Sequence, residues 1–231
     1  MEKVKFVVKR SEDGKEFRWQ TYEVPLERKG MTVLDGLFWL VDNHDDPPAF
    51  RYTCRSAVCG SCAMMINGKN RLACKTQIST LKNPVKIEPL PGLEVIKDMV
   101  VDMRPFFSGY ELVKPFLIRK SGTPEKEILQ RIAEREKIDE PTICIMCAAC
   151  STSCPIYWSD NHYIGPAALL KAYRFIVDSR DNGRKEHLEI VKSESGVWRC
   201  RTSFRCTDCC PKNIQITKRI QELKRFCFGR K

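Results

Sequence analysis

The chain has 231 residues, 42% of them hydrophobic and 30% charged, with a mean hydropathy of −0.37. That is long enough for one large or two small domains and too apolar for a disordered chain, while its longest apolar run, residues 143–150, falls far short of the roughly 18 residues a membrane span needs. The 40 basic residues against 29 acidic give a net charge of +11, which taken alone points to nucleic acid or another anionic surface.

The opening MEKVKFVVKR alternates charge and hydrophobe with no apolar h-region, so neither a signal peptide nor secretion is expected. Val4, Phe6 and Val8 alternate with other residues, Phe17 and Trp19 continue the period, and Asp13-Gly14 lies between the two runs; this predicts a β-hairpin. Thr32 with Asp35 three residues on reads as a helix cap, and Val33, Leu37, Leu40 and Val41 form an apolar face behind it. Residues 64–66, Asn67-Gly68, and Arg71 with Leu72 predict a second hairpin, and residues 85–87 a last strand. A small sheet crossed by one helix fits this order.

Residues 89–115 contain four prolines, two glycines and no cysteine, so a domain boundary is expected near 103–107, with domains 1–104 and 105–231. Beyond it the pattern is helical. Thr123-Pro124 predicts a helix start, with Ile128, Leu129 and Ile132 as its apolar face. Leu169, Leu170, Tyr173, Ile176 and Val177 form a second stripe after Gly165-Pro166. Ile216, Ile220, Leu223 and Phe226 form a third. The fold class is therefore α+β.

Cysteine dominates the chemistry. There are 13, an odd number, and without a secretory signal metal ligation is the stronger reading than a disulfide scaffold. Cys54-x4-Cys59-x2-Cys62, with Cys74 beyond, has the spacing of a plant-type [2Fe–2S] site. Three ligands crowd one loop there, unlike the two close pairs of structural zinc. Gly60 and Ser61 are small enough to let backbone N–H groups approach the sulfides. Cys144-x2-Cys147-x2-Cys150-x3-Cys154-Pro155 is the run of bacterial ferredoxins. The third group aligns on it, as Cys200-x2-Ser203-x2-Cys206-x3-Cys210-Pro211, with serine replacing the second cysteine.

In two-cluster ferredoxins the fourth cysteine of each run serves the other cluster. That rule assigns Cys144, Cys147, Cys150 and Cys210 to a [4Fe–4S] centre, and Cys154, Cys200 and Cys206 to a [3Fe–4S] centre. Serine oxygen can also ligate iron, so a four-iron form of the latter stays open, with the three-iron form preferred. Cys209 competes with Cys210, which has the register and the following proline; Cys227 lies on a helix stripe and reads as structural. Each cluster with its thiolates carries roughly −2, and three would lower the net charge to about +5. No P-loop or GxGxxG fingerprint is present, and the three histidines, His44, His162 and His187, lack metal-pair spacing. The chain is expected to carry single electrons between a donor and an acceptor on partners, with no catalytic residues and no dicarboxylate site of its own.

These motifs resemble the iron–sulfur subunits of succinate dehydrogenase and fumarate reductase, respiratory complex II. The resemblance covers nearly the whole chain and is carried by RYTCRSAVCGSC (51–62), NGKNRLAC (67–74), CIMCAACSTSCP (144–155) and IGPAALLKAYRFIVDSR (164–180). It implies a β-grasp, plant-type ferredoxin domain followed by an all-α, bacterial-ferredoxin-like domain. It implies a flavoprotein partner carrying FAD, a membrane anchor of one or more subunits with or without haem b, and quinone as the final acceptor. The chain is then peripheral, on the cytoplasmic face of a cell membrane or the matrix face of the mitochondrial inner membrane.

By resemblance, Pro155 and Trp158 follow the family's quinone pattern, Lys224 matches a basic residue fourteen positions after Cys210, and Arg201 stands where some members have His. For Lys224 an ordinary solvated helix lysine is an equal reading. Ile156 and Ser159 depart from the Ser and second Trp of some succinate dehydrogenases, which leaves quinone type and direction open, and residues 178–200 look closer to fumarate reductases. The alternatives are a quinol:fumarate reductase, the cluster subunit of another flavoprotein complex, and a zinc-built nucleic-acid-binding protein. Against the last, the basic residues are scattered rather than striped, and no nucleic-acid partner is expected.

Overall fold

The computed structural model describes residues 2–120, 122 and 124–229. Strands β1 (Lys3–Arg10) and β2 (Arg18–Pro25) pair antiparallel with Phe6 opposite Tyr22 and Val4 opposite Val24. The intervening loop is closed by the Gly14 and Lys15 amides, which donate to Ser11 Oγ and Asp13 Oδ1 at 2.9 Å each. Helix α1 (Val33–Asn43) starts on a complete capping box: Asp35 N–H donates to Thr32 Oγ1, and Thr32 N–H to Asp35 Oδ2. Its buried Val33, Leu34, Leu37 and Leu40 cover the sheet. Gly36 is required where α1 meets β1, because a Cβ there would stand 2.6 Å from the Phe6 ring.

Strands β3 (Ala63–Ile66) and β4 (Lys69–Leu72) form the second hairpin, with Asn67 and Gly68 both at positive φ, as a tight primed turn demands. Strand β5 (Val85–Glu88) lies in the middle of the sheet, parallel to β1 and antiparallel to β3, in the order β2-β1-β5-β3-β4. It is not the last strand: β6 (Val95–Lys97) and β7 (Val100–Val101) follow as a separate pair, three and two residues long. Such short segments carry too little alternation to be read from sequence.

The β6–β7 turn is pinned by a buried ion pair. Arg10 continues the inward phase of Val4, Phe6 and Val8 and is 1% exposed. Its Nε donates to Asp98 Oδ1 at 2.9 Å, and its other nitrogens to Tyr22 Oη, Gln20 Oε1, Asp46 Oδ1 and the carbonyl of Asp46. Burial opposes the guanidinium charge, and the bonds and fields of Asp98 and Asp46 overcome it, holding Arg10 above its ordinary pKa. Asp98 Oδ2 in turn accepts from Ala49 N–H at 2.7 Å, and Arg51 donates to the carbonyl of Val101 at 2.8 Å. Residues 46–51, which lead into the first cysteine loop, are thereby fixed to the sheet.

The helices that follow are α2 (Arg104–Leu112), α3 (Ile132–Thr142), α4 (Ala149–Ser153), α5 (Pro155–Ser159), α6 (Gly165–Ile176), α7 (Arg184–Lys192), α8 (Arg205–Asp208) and α9 (Ile216–Cys227). Contacts divide the chain into two compact units, Met1–Met103 with Ile145–Ser153, and Arg104–Cys144 with Cys154–Lys231. In the second, α6 is central and packs against α2, α3, α7 and α9. Leu169, Leu170 and Ile176 are fully buried, and α9 contributes Ile216, Ile220 and Leu223. The buried Asp178 after α6 is paired with Arg174 at 3.0 Å and Arg180 at 2.8 Å. Arg219 joins α9 to Glu140 at the end of α3.

One expected helix is displaced. Thr123 lies outside the described residues, and 124–131 are not helical. Helix α3 starts instead at Ile132, where Arg131 N–H donates to Glu134 Oε2 at 3.0 Å. Leu129 and Ile132 are 88% and 81% exposed, and an apolar stripe with no surface to bury against does not sustain a short helix. Among the described residues no helix is long and apolar enough to cross a membrane.

Asp98→Ala leaves Arg10 buried without its partner, so the unfolding free energy is expected to fall by about 3–5 kcal/mol in urea denaturation. Glu12→Ala, which removes the exposed partner of Lys97, is expected to leave the midpoint unchanged.

Candidate functional site

The first cysteine group sits on a loop that turns its amides toward sulfur. Arg55 and Ala57 both have a φ of 55°, and Gly60 one of 78°. In this conformation Ser56, Val58 and Cys59 N–H groups converge on Cys54 Sγ at 3.4, 3.3 and 3.2 Å, and Ala57 N–H reaches Cys74 Sγ at 3.3 Å. The β3–β4 hairpin supplies the other side. Ala73 N–H donates to the Cys62 carbonyl at 3.0 Å, and Cys74 N–H approaches Cys62 Sγ at 3.5 Å.

The thiols of this loop are pushed apart in acidity. Burial works to raise Cys59, but hydrogen bonds from Ser61 and from the Cys54 and Ser61 amides bring it down to about 6. Cys62 is buried and is pushed up to about 12, burial being the main cause and the neighbouring Cys74 and Cys59 sulfurs adding to it.

The second run folds onto the same unit. Asn70 of β4 donates to the Ala149 carbonyl at 3.0 Å and to Thr152 Oγ1 at 2.9 Å. At Gly60 a Cβ would stand 2.7 Å from Cys147 Cβ and 3.0 Å from the Ile145 carbonyl oxygen. Glycine at this position therefore serves a further purpose beyond access to sulfide: the first and second cysteine loops touch there. Cys147 and Cys150 belong to this unit, and Cys144 and Cys210 to the other.

The internal repeat is visible in the backbone. Met146 and Ala148, two and four residues after Cys144, have φ of 53° and 62°; Thr202 and Phe204, at the same offsets from Cys200, have 56° and 60°. Each loop then enters a short helix, α4 or α8. Ser203 is exposed and stands at the repeat position of Cys147.

In the second unit, Cys154 caps α5, with Pro155 at its first turn. Burial raises the Cys154 thiol, the Tyr157 and Ile156 amides lower it, and the charge of Cys200 raises it again. Cys206 is raised by burial and by Cys200 and Cys154, and lowered by Thr217. Cys154 and Cys206 thus lie close enough to Cys200 for its charge to oppose their ionisation. Thr217, a buried hydroxyl on α9, accepts from Thr207 Oγ1 at 2.9 Å and stands 3.4 Å from Cys206 Sγ, which leaves its own proton for the sulfur. It was missed from sequence because it falls within an apolar stripe.

Lys224 is not an ordinary solvated lysine: its Nζ donates to the Cys200 carbonyl at 2.9 Å. Trp158 and Arg201 are exposed. Cys209 donates its S–H to the Cys206 carbonyl at 3.6 Å, and burial raises the Cys227 thiol. His187 is buried against Val113 and Asp181, His44 ends α1 against Tyr22 and Trp39, and His162 is exposed beside Asp160.

Among the described residues no three His, Cys, Asp or Glu side chains are placed to hold a single metal ion. The donor set has a different chemistry. Thiols that oppose one another's ionisation, ringed by N–H and O–H donors, suit a cationic iron core with acid-labile sulfide, which removes the protons and accepts the hydrogen bonds.

Comparison with known proteins bears on this chemistry. A family model described as a 2Fe-2S iron-sulfur cluster binding domain matches residues 5–108, and one described as a 4Fe-4S dicluster domain matches residues 140–214. The chain is 42% identical over 218 residues to the succinate dehydrogenase iron–sulfur subunit of Paracoccus denitrificans, covering 94% of this chain and 84% of that one. It is 47% identical over 208 residues to the mitochondrial succinate dehydrogenase (ubiquinone) iron–sulfur subunit 1 of Oryza sativa subsp. japonica, covering 89% and 74%. A chain of the Mycobacterium smegmatis Sdh1 complex in the apo form superposes with a TM-score of 0.90 at 26% identity, covering 99% of this chain and 97% of that one.

Gly60→Ala is expected to lower stability by about 1–3 kcal/mol, from backbone strain together with the collision at Cys147. Gly68→Ala, at a similar φ of 75° but with open space around it, is expected to show the strain alone. Equal thermal shifts for the two variants would contradict the contact.

Proposed function

Since the chain belongs to the family of succinate dehydrogenase iron–sulfur subunits, we propose that it passes single electrons from the FAD of a flavoprotein subunit, through [2Fe–2S], [4Fe–4S] and [3Fe–4S] clusters in that order, to quinone at a membrane anchor. The chain is a subunit of an oxidoreductase, and an electron carrier rather than the unit that binds the dicarboxylate. Succinate oxidation to fumarate is the favoured direction, because the relatives at 42–47% identity are succinate dehydrogenase subunits.

The observation that carries this reading is the concentration of N–H and O–H donors on the sulfurs of Cys54, Cys74, Cys154 and Cys206, within a chain of this family. Cys54, Cys59, Cys62 and Cys74 would hold the [2Fe–2S] group in a β-grasp domain spanning 1–104. Cys144, Cys147, Cys150 and Cys210 would hold the [4Fe–4S] group, and Cys154, Cys200 and Cys206 the [3Fe–4S] group, with 105–231 as a ferredoxin-like helical domain. When bound, these groups supply one-electron carriers whose potentials depend on charge, hydrogen bonding and solvent access.

The chain's own residues supply the rest. The amides of Ser56, Val58 and Cys59 spread the negative charge of Cys54. The contact of Gly60 with Cys147 sets the distance between the first two loops. Thr217 and Lys224 place a donor and a positive charge beside the third run, which suits the end of the path that receives the electron. Pro155, Trp158, Arg201 and Lys224 are the residues we place nearest quinone. Partner subunits would hold the chain at the cytoplasmic or matrix face of its membrane.

Succinate added anaerobically to the purified complex is expected to reduce the clusters seen by EPR, and a quinone to reoxidise them. Clusters that respond to dithionite but not to succinate would overturn the assignment to this reaction.

A further inference from the structure

Tyr163 is 3% exposed, and among the described residues its hydroxyl meets no partner at full hydrogen-bond geometry. A buried phenol left in this state costs about 1–3 kcal/mol, and phenylalanine would fill the same space without that cost. The polypeptide thus presents a buried donor that no oxygen or nitrogen acceptor among the described residues satisfies.

The surroundings say what that acceptor is. Tyr163 closes a turn, its N–H donating to the Asp160 carbonyl at 3.1 Å, and the next amide, of Ile164, donates to the Ser195 carbonyl at 3.1 Å. The Asp160 carboxylate pairs with Arg199, the residue before Cys200. These three links fix the ring against the segment that delivers Cys200. The groups facing the buried hydroxyl are the Cys200, Cys154 and Cys206 sulfurs, with Cys200 within reach as an acceptor. A buried phenolic donor beside three ligand sulfurs, with no oxygen or nitrogen acceptor among the described residues, has sulfur as its remaining acceptor.

We propose that Tyr163 donates its phenolic O–H to an anionic sulfur of the third iron–sulfur group, the Cys200 thiolate or a sulfide of the core, and thereby raises that group's reduction potential. This rests on the reading that Cys154, Cys200 and Cys206 hold such a group. One electron enters on reduction, the sulfurs become more negative, and the hydrogen bond strengthens; the proton stays on Tyr163. The reduced form gains more than the oxidised one, so the terminal carrier becomes the better acceptor.

The test is an EPR-monitored redox titration of the intact complex carrying Tyr163→Phe. The equilibrium constant for reducing the third group is expected to fall about tenfold, a shift of about 59 mV downward for a one-electron couple. The first two groups should keep their midpoints. In the unsubstituted complex, proton ENDOR after exchange into D2O is expected to lose a proton coupling on the oxidised third group. This measurement decides the matter even if the variant fails to assemble. An unchanged midpoint with the signal intact, or no exchangeable coupling, overturns the inference alone. Absence of any [3Fe–4S] signal from the unsubstituted complex overturns the reading beneath it as well.

Discussion

Gathering anionic sulfurs inside a protein is opposed twice, by their mutual repulsion and by the loss of their hydration. The cysteine loops answer this with backbone amides. Left-handed residues at Arg55 and Ala57 bend the first loop so that its N–H groups point to one side, and left-handed residues recur at the paired positions 146 and 148, and 202 and 204. In the first loop that side is sulfur, with three amides on Cys54 and one on Cys74. Non-glycine residues hold this conformation at a cost of order 1 kcal/mol each, which the free loop has little means to offset. Binding of an iron core, as proposed for these loops, would supply the missing free energy and link folding of the loops to loading of the clusters.

Loops under strain need a rigid frame, and each unit builds one from paired charge, buried in the first unit and half-buried in the second. In the first, Arg10 and Asp98 tie the inner face of β1 to the β6–β7 turn and to Ala49, immediately before the first cysteine loop. In the second, Arg199 with Asp160 and Lys224 with the Cys200 carbonyl fix the third run from two directions, and Arg219 with Glu140 joins α9 to α3. An electron carrier gains from such stiffness, because little structural rearrangement then accompanies each change of charge. A device that selects potentials, such as the Tyr163 hydroxyl, acts reliably only in a frame of this kind.

Much of this was legible in the residues. Local rules recovered the two hairpins, the Thr32–Asp35 box and the stripes of α6 and α9, and motif spacing recovered the register of the cysteine repeat, which the left-handed residues at 146 and 148, and at 202 and 204, share. What escaped depends on distant partners. The inward phase of Arg10 was available in the alternation of β1, but its partner Asp98 lies 88 residues away, and a charged residue at a strand end reads as exposed. Ile128, Leu129 and Ile132 had helical spacing yet no surface to cover. The central place of β5 follows from tertiary pairing with β1 and β3, which no local pattern encodes. Thr217 and Tyr163 belong to no motif in the sequence, since their value lies in the sulfurs beside them.

The central claim is that eleven cysteine sulfurs hold iron in three groups. Metal analysis of the purified complex, together with acid-labile sulfide, tests it most directly. The account predicts about nine iron atoms per chain, two, four and three by cluster type, with no stoichiometric zinc. Zinc in place of iron, or cysteines recovered as disulfides from anaerobically prepared protein, would contradict it.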